Sequence, residues 1–182
     1  MNSKFKTQNL KLALVALGSN LGDSRRIILE AMKRLQGFSS RPILESSLWQ
    51  TTPVNCPPGS PTFVNAVVGL EPREGETAES LFKKLQSLEQ EFGRQPKKVL
   101  NEPRPLDLDL IAFGSETRPA APKRSEGGDT PELVLPHPRA HLRRFVLQPL
   151  SEIVPDLVLP GQSKTVAQLL AELSSDEVLK RL

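Results

Sequence analysis

Apolar residues follow two patterns along this chain, and together the patterns predict six secondary-structure elements. Short apolar runs and alternations of apolar with polar residues are typical of strands, whereas spacings of three and four residues place side chains on one face of a helix. Helices are therefore predicted at residues 24–36, capped by Asp23 or Ser24, and 78–92, opened by Thr77. Strands are predicted at residues 10–17, 43–51, 63–70 and 103–113.

The resulting order, β-α-β-β-α-β, predicts the fold class. It is the order of an α/β (α+β) ferredoxin-like core, in which a mainly antiparallel sheet carries both helices on one face. We expect one domain over residues 10–182, because a chain of this length can bury a single core. Strands at 132–136 and 157–159 and a C-terminal helix that Thr165 caps are expected to extend this core.

Two segments are expected to lie outside the packed core. Residues 1–9 are polar and contain lysines, which predicts a disordered tail rather than a signal peptide. Residues 114–130 combine prolines, glycines and alternating charges, which predicts a flexible surface insertion. A membrane helix needs roughly 18 apolar residues in a row, which no segment supplies, and the single cysteine excludes a disulfide framework. We therefore expect a cytoplasmic protein.

Asp107 and Asp109 are the first candidate site, because they share one face of a strand whose leucines share the other. Two residues of a strand at this spacing lie about 6.5–7 Å apart, and their carboxylates repel each other unless a positive charge lies close by. A hard divalent cation prefers such oxygen ligands. An acidic edge strand that faces solvent explains the same spacing equally well, so the spacing alone leaves both interpretations open.

The positive charges are concentrated in two loops, although the net charge is only +3. One loop spans residues 94–105, and the other, 137–144, contains both histidines and three arginines. His137 and His141 have the spacing of a zinc pair, but Pro138 and the surrounding arginines disfavour that interpretation. Guanidinium groups bind phosphate in a fork geometry. Two acids for a metal and two basic loops are the components of a phosphoryl-transfer site.

Three polar residues and one turn are weaker candidates. Asn65 interrupts an apolar strand, and its buried amide needs partners that either a ligand or the protein itself can supply. Gln86 and Glu89 share one helix face, which by itself indicates a solvated surface more than a site. The GSNLG turn after the first strand lacks the pattern of a nucleotide-binding loop, so it is interpreted as a structural turn.

Motifs of one enzyme family occur in order along the chain: LGSNLG (17–22), FVNA (63–66), PRPLDLD (103–109), PHPR (136–139) and RRF (143–145). Through them the chain resembles the 6-hydroxymethyl-7,8-dihydropterin pyrophosphokinases over about residues 10–165. The resemblance implies a ferredoxin-like fold and a step of folate biosynthesis. In that step the β,γ-diphosphate of ATP passes to the hydroxymethyl oxygen of the pterin, and AMP is released.

The same resemblance implies a role for each candidate residue. Four catalytic residues are implied, of which Asp107 and Asp109 hold two Mg²⁺ ions, while Arg94 and Arg104 hold the ATP phosphates. Further nucleotide contacts are implied for Gln86, Glu89, His137 and Arg143. Pterin contacts are implied for Thr51, Thr52, Val54, Phe63, Asn65 and Phe145. The implied partners are ATP and the pterin, with no nucleic acid and no membrane, and we expect a monomer.

Two other functions fit part of the pattern. A ferredoxin-like RNA-binding module would also use basic loops, but it needs exposed aromatic residues on its strands. The chain has no tyrosine, one tryptophan and seven phenylalanines, and the acidic pair would repel phosphate without a metal. A catalytically inactive relative is disfavoured because the aspartate pair, Arg104 and His137 are all present.

Overall fold

An antiparallel sheet separates two layers of helices in the computed structural model of this protein, which describes residues 12–53, 58–95, 102–120 and 132–182. Helices α1 and α2 pack on one face of the sheet, and α3, with α4 against it, packs on the other. The elements in chain order are β1 (Ala13–Ser19), α1 (Ser24–Gln36), β2 (Leu44–Glu45), β3 (Trp49–Thr51), β4 (Phe63–Leu70), α2 (Ala78–Glu91), β5 (Asp107–Phe113), a 3-10 turn (Ala140–Leu142), α3 (Arg144–Ile153), α4 (Val166–Glu172) and β6 (Leu179–Arg181).

The sheet has the order β5-β1-β4-β3-β6, with β2 also paired to β4, and all of these pairs are antiparallel. The predicted β-α-β-β-α-β order is confirmed, except that the second strand is broken into β2 and β3. At the break, the Ser46 hydroxyl accepts a hydrogen bond from the Val67 amide at 2.9 Å. The next amide, of Ser47, donates to Glu152 of α3 at 2.6 Å. Side chains therefore replace part of the regular backbone pairing over this short stretch, where the Ser46 amide still donates to the Val67 carbonyl at 3.0 Å.

Capped ends and apolar stripes explain the first helical layer. Helix α1 begins at Ser24 because the Asp23 side chain accepts a hydrogen bond from the Arg26 amide at 3.1 Å. Helix α2 follows Thr77, which forms a capping box with Ser80. Burial of a large apolar side chain contributes roughly 1.5–3 kcal/mol to stability. The core residues of this layer include Ile28, Met32, Leu35, Leu81, Leu85 and Leu88. The prediction that both helices share one face of the sheet is confirmed.

The second helical layer was only partly predictable. Helix α3 contains Pro149, a residue that removes an N–H donor and usually ends a helix. The helix predicted after Thr165 is confirmed as α4, which begins with a capping box between Thr165 and Gln168. Against the sheet, α3 buries Val146, Leu147 and Leu150.

Both strands that were predicted in the C-terminal part of the chain are wrong. Residues 132–136 and 157–159 each contribute one isolated bridge instead of a strand. The C-terminal strand of the sheet is β6, which pairs with β3 at one edge. Residues 1–9 and 121–131 lie outside the described residues, so the disordered tail, most of the insertion and the single-domain boundaries stay predictions. In the parts of the chain that the structure describes, no helix is long and apolar enough to span a membrane.

Candidate active site

A row of three residues across neighbouring strands organises the candidate site at one end of the sheet. Gly18 of β1 lies opposite Asp107 of β5 on one side and opposite Asn65 of β4 on the other. Two residues earlier in β1, Ala16 pairs with Asp109. Because alternate residues of a strand share a face, these side chains project toward α3, while the leucines between them enter the α1–α2 core.

Above Gly18 lies a cavity of about 280 Å³. A β-carbon at position 18 would lie 3.0 Å from Asn65 Oδ1 and 4.0 Å from Asp107 Cβ, so glycine leaves this space open. The cavity brings together nine of the predicted site residues: Thr51, Thr52, Phe63, Asn65, Arg104, Asp107, Asp109, Arg143 and Phe145.

Asp107 is held between two arginines. Arg94 Nη1 donates to Asp107 Oδ1 at 2.6 Å, and Arg104 Nη1 lies 3.6 Å from Asp107 Oδ2. Arg104 is fixed in turn to the GSNLG turn, because its N–H donates to Asn20 Oδ1 at 2.9 Å and its carbonyl accepts from the Asn20 amide at 3.2 Å. The turn that was interpreted as structural therefore positions a candidate phosphate-binding arginine.

Asp109 has a different electrostatic environment. His137 Nε2 and Arg143 Nη1 lie 3.9 Å and 3.8 Å from Asp109 Oδ2. The backbone amide of His137 donates to Ile111 of β5 at 2.8 Å, which places the imidazole beside this strand. Burial, and then the charge of Asp107, raise the pKa of Asp109, while burial lowers the pKa of His137. An additional cation would therefore stabilise the ionised form of Asp109.

Glu89 reaches the same site from α2. It is buried, so the interpretation of its helix face as solvated is wrong at this position. Its carboxylate accepts hydrogen bonds from the Leu108 amide, at 2.7 Å, and from the Arg94 guanidinium. Burial raises the pKa of Glu89 to about 7, although the charge of Arg94 and the hydrogen bond from Leu108 both act to lower this pKa. Gln86, one turn earlier, is half-buried and does not line the cavity.

The two aspartates fit a magnesium site of the kind that a substrate completes. In the described part of the chain, no cluster of three or more His, Cys, Asp or Glu side chains could hold a metal ion. Mg²⁺ is usually bound through one or two carboxylates together with water and substrate phosphates. Asp107 and Asp109 supply hard oxygen donors beside arginine guanidinium groups, a chemical group that can bind phosphate. The raised pKa of Asp109 indicates that two free carboxylates are disfavoured there.

The other end of the cavity is lined by aromatic rings and by the amide of Asn65. Asn65 Nδ2 donates to Thr51 Oγ1 at 2.7 Å, and Asn65 Oδ1 faces the space above β1. Phe63 and Phe145 are half-buried in the cavity wall. The Arg143 guanidinium lies 5.4 Å from the centre of the Phe145 ring, within cation–π distance. A flat, polar heterocycle would find two aromatic faces and an amide at this end.

Some residues of the site were missed by sequence reasoning, and one prediction cannot be placed. Leu142 lines the cavity from the basic loop and was missed, whereas Arg139 of the same loop, which the sequence had indicated as a candidate phosphate contact, also lines it. Glu177 lines it from the C-terminal segment, and no local pattern connects that segment to the site. Thr52 lies at the exposed rim, whereas Val54 is outside the described residues.

Comparison with known proteins gives a consistent result. A profile of the family described as 7,8-dihydro-6-hydroxymethylpterin-pyrophosphokinase (HPPK) matches residues 14–155. The chain is similar to the 2-amino-4-hydroxy-6-hydroxymethyldihydropteridine pyrophosphokinase of Pseudomonas aeruginosa, with 36% identity over 160 residues, which cover 86% of this chain and 88% of the relative. The protein of the same name from Synechocystis sp. is 33% identical over 166 residues, which cover 91% of this chain and 78% of the relative.

Solved structures share the same architecture. The HPPK-DHPS of Plasmodium falciparum with pterin and p-hydroxybenzoate matches with a TM-score of 0.68 at 13% identity. The match covers 92% of this chain but 44% of that one, so this chain spans less than half of that protein. At this identity the likeness concerns the fold alone, and it supports the mixed α/β architecture with its antiparallel sheet.

Proposed function

Because this chain belongs to the 7,8-dihydro-6-hydroxymethylpterin-pyrophosphokinase family, we propose that its cavity is the active site of the family's reaction. The chain is an ATP-dependent pyrophosphokinase of folate biosynthesis, which transfers the β,γ-diphosphate of ATP to the pterin hydroxymethyl group. The observation that carries the proposal is the row of Asp107, Gly18 and Asn65, because it joins an end of acids and arginines to an end of amide and aromatic groups.

We place the pterin at the aromatic end of the cavity. Phe63 and Phe145 offer ring faces to a flat bicyclic heterocycle, and Asn65 Oδ1 can accept a hydrogen bond from a ring N–H or amino group. The bond from Asn65 to Thr51 holds the amide in the orientation that leaves this oxygen free for the ligand. A site built in this way discriminates against rings that lack the matching polar groups.

We place the ATP phosphates at the cationic end. Arg94 and Arg104 lie close to Asp107. Arg143 and His137 lie close to Asp109, so four cationic or hydrogen-bonding side chains surround the acidic pair. The bond that forms joins the hydroxymethyl oxygen to the β-phosphorus, and the bond that breaks joins this phosphorus to the oxygen that leaves with AMP. The arginines orient the phosphates and stabilise their negative charge during the transfer.

We propose that Asp107 and Asp109 hold two Mg²⁺ ions when ATP is bound. Bound Mg²⁺ would supply charge neutralisation at the phosphate oxygens. Two carboxylates lie on one face of the strand, and the charge of Asp107 helps to raise the pKa of Asp109. A bound cation would relieve the repulsion between these two carboxylates. Arg94 and Arg104 must release the oxygens of Asp107 for this purpose, which makes their guanidinium groups available to phosphate.

The direct test of the activity measures AMP formed from ATP by the purified protein. We expect AMP only when Mg²⁺ and hydroxymethyl-dihydropterin are both present, with the pterin diphosphate formed in equal amount. AMP in the absence of the pterin, or ADP as the product, would contradict the proposal.

The role of the acidic pair is tested by Asp107→Ala. We expect turnover to be abolished while the fold persists, because the side chain lies in the cavity rather than in the core. Circular dichroism and thermal unfolding check the fold. Asp156→Ala is the matched control, since Asp156 is exposed in the turn after α3. Turnover at the wild-type rate in Asp107→Ala would remove this carboxylate from the metal site.

We further propose that the protein acts as a monomer in the cytoplasm. Among the described residues, the large apolar side chains that are exposed, such as Leu21, Leu29 and Leu182, come from widely separated parts of the chain. Light scattering on the purified protein tests the monomer, and a dimer mass would contradict it. The RNA-binding alternative is not favoured, because the family and the named relatives are pterin pyrophosphokinases.

A further inference from the structure

The C-terminal segment before β6 forms part of the cavity wall. Glu177 lines the cavity, and its Oε2 accepts a hydrogen bond from the backbone amide of Phe145 at 3.0 Å. The next residue, Val178, accepts from the Thr52 amide at 3.3 Å, and Leu179 pairs with Thr51. This segment therefore connects the two walls between which we place the pterin.

Glu177 serves as a cap that comes from a distant part of the chain. Phe145 lies in the first turn of α3, where backbone N–H groups have no partner inside the helix. Arg143, the N-cap residue, makes no side-chain capping bond within the described part of the chain. A carboxylate that accepts from the first turn satisfies one of these donors and interacts favourably with the helix dipole.

Phe145 is held from two directions as a result. Its ring lies under the Arg143 guanidinium, and its amide is held by Glu177. The carboxylate of Glu177 is also close enough to Arg143 to oppose the lowering of the arginine pKa that burial causes. A substitution of Glu177 can thus act through the lost hydrogen bond to Phe145 or through the lost charge beside Arg143. A hydrogen-bond effect would appear in Glu177→Ala but not in Glu177→Gln, whereas a charge effect would appear in both variants.

We propose that Glu177 is a positioning residue for the pterin, which sets the Phe145 ring against the bound heterocycle through its hydrogen bond to the Phe145 amide. The inference rests on the proposed function, since it requires the pterin to contact Phe145. It assigns the C-terminal segment a role in recognition of the pterin rather than in handling of the phosphates.

The test compares Glu177→Ala with Glu177→Gln in steady-state kinetics. Alanine removes the acceptor, so we expect the KM for the pterin to rise roughly fivefold, the factor that loss of one capping hydrogen bond produces. The KM for ATP should be unchanged. Glutamine keeps a carbonyl oxygen for the Phe145 amide and should restore a KM near wild type. Asp176→Ala is the control, because Asp176 is an exposed acid next to Glu177 in the sequence.

Equal defects in the alanine and glutamine variants, or a defect in the KM for ATP, would overturn the inference in favour of a charge effect. An unchanged KM for the pterin in Glu177→Ala would overturn it as well. Thermal unfolding of both variants separates these outcomes from loss of the fold, and the isosteric glutamine variant provides the test even if the alanine variant unfolds.

Phe145→Ala separates failure of this inference from failure of the proposed function. If that variant leaves the KM for the pterin unchanged, the placement of the pterin at Phe145 fails. If it raises the KM while Glu177→Ala does not, only the positioning role fails. In a Phe145→Ala background, Glu177→Ala should have no further effect on the KM for the pterin, because the two residues act as one unit. An additive effect would contradict the positioning role.

Discussion

Replacing Glu89 by glutamine is expected to make the protein increasingly stable relative to wild type as the pH rises. Glu89 is buried between α2 and β5, where its carboxylate accepts from the Leu108 amide and from Arg94. Burial raises its pKa from an ordinary value of 4.5 to about 7, because a buried carboxylate loses hydration that its ionised form needs. Glutamine keeps an acceptor for the Leu108 N–H and does not ionise.

The sign follows from the protons bound in each state. Well below pH 4.5, Glu89 is protonated in both the folded and the unfolded chain. Between 4.5 and about 7 the unfolded chain releases this proton while the folded chain keeps it, so stability is lost as the pH rises. At roughly 1.4 kcal/mol for each pKa unit, the whole shift corresponds to about 3 kcal/mol. Between pH 5 and pH 8 the wild type should lose about 2.5 kcal/mol through this group.

Urea unfolding of both proteins at several pH values measures the effect. The free energy of unfolding of Glu89→Gln minus that of wild type should increase by about 2.5 kcal/mol from pH 5 to pH 8. Titrating groups that do not interact with Glu89 contribute equally in both proteins, so their contributions cancel in the difference. Glu91→Gln removes an exposed carboxylate from the same helix and should not reproduce the increase. A difference that stays constant with pH would refute the reasoning.

Three further substitutions test the geometry of the site and its surroundings. Gly18→Ala should raise the KM for the pterin, because the new β-carbon would lie 3.0 Å from Asn65 Oδ1; an unchanged KM would contradict the placement of the ring. Asp109→Asn should remove most turnover while the protein still folds, because the side chain lies in the cavity rather than in the core; thermal unfolding and the AMP assay decide, and retained turnover would exclude its role. Ser46→Ala should destabilise by about 1–3 kcal/mol in urea unfolding, because the buried Val67 amide loses its acceptor; a negligible loss would mean that another group replaces it.

The spacing of residues was sufficient to predict an element wherever the residues that define it lie within its own segment. Helix α1 and strand β4 have the predicted bounds, since a capped helical stripe and an apolar run are complete within those segments. The placement of Asp107 and Asp109 on one face is confirmed for a similar reason, because the pleat of a strand requires it. The strand pattern alone could not decide between a metal site and an acidic edge that faces solvent. The surroundings of the aspartates depend on Arg94 and His137, which come from two other loops.

Long-range contacts explain what could not be predicted. The strand expected at 43–51 breaks because Ser46 and Ser47 take partners from β4 and α3. Helix α3 tolerates Pro149 because its apolar face is buried on the sheet, which compensates for one missing backbone hydrogen bond. Glu89 is buried because β5 presents the Leu108 amide to it. In each case the deciding partner is distant in sequence, and no local period contains it.

Under the proposed function, the charges of the cavity would allow one site to receive ATP and its metal ions without a large electrostatic cost. In the substrate-free protein, each acid already has a cationic partner, as Asp107 has in Arg94 and Asp109 has in Arg143. Two Mg²⁺ ions and one fully ionised ATP would together add no net charge, so in the proposed complex binding would exchange ionic partners instead of adding charge. Asp107 and Asp109 would hold the metal ions in place of the arginines, and the arginines would bind phosphates in place of the carboxylates. Because the donors are already in place, little reorganisation remains for the transfer step itself.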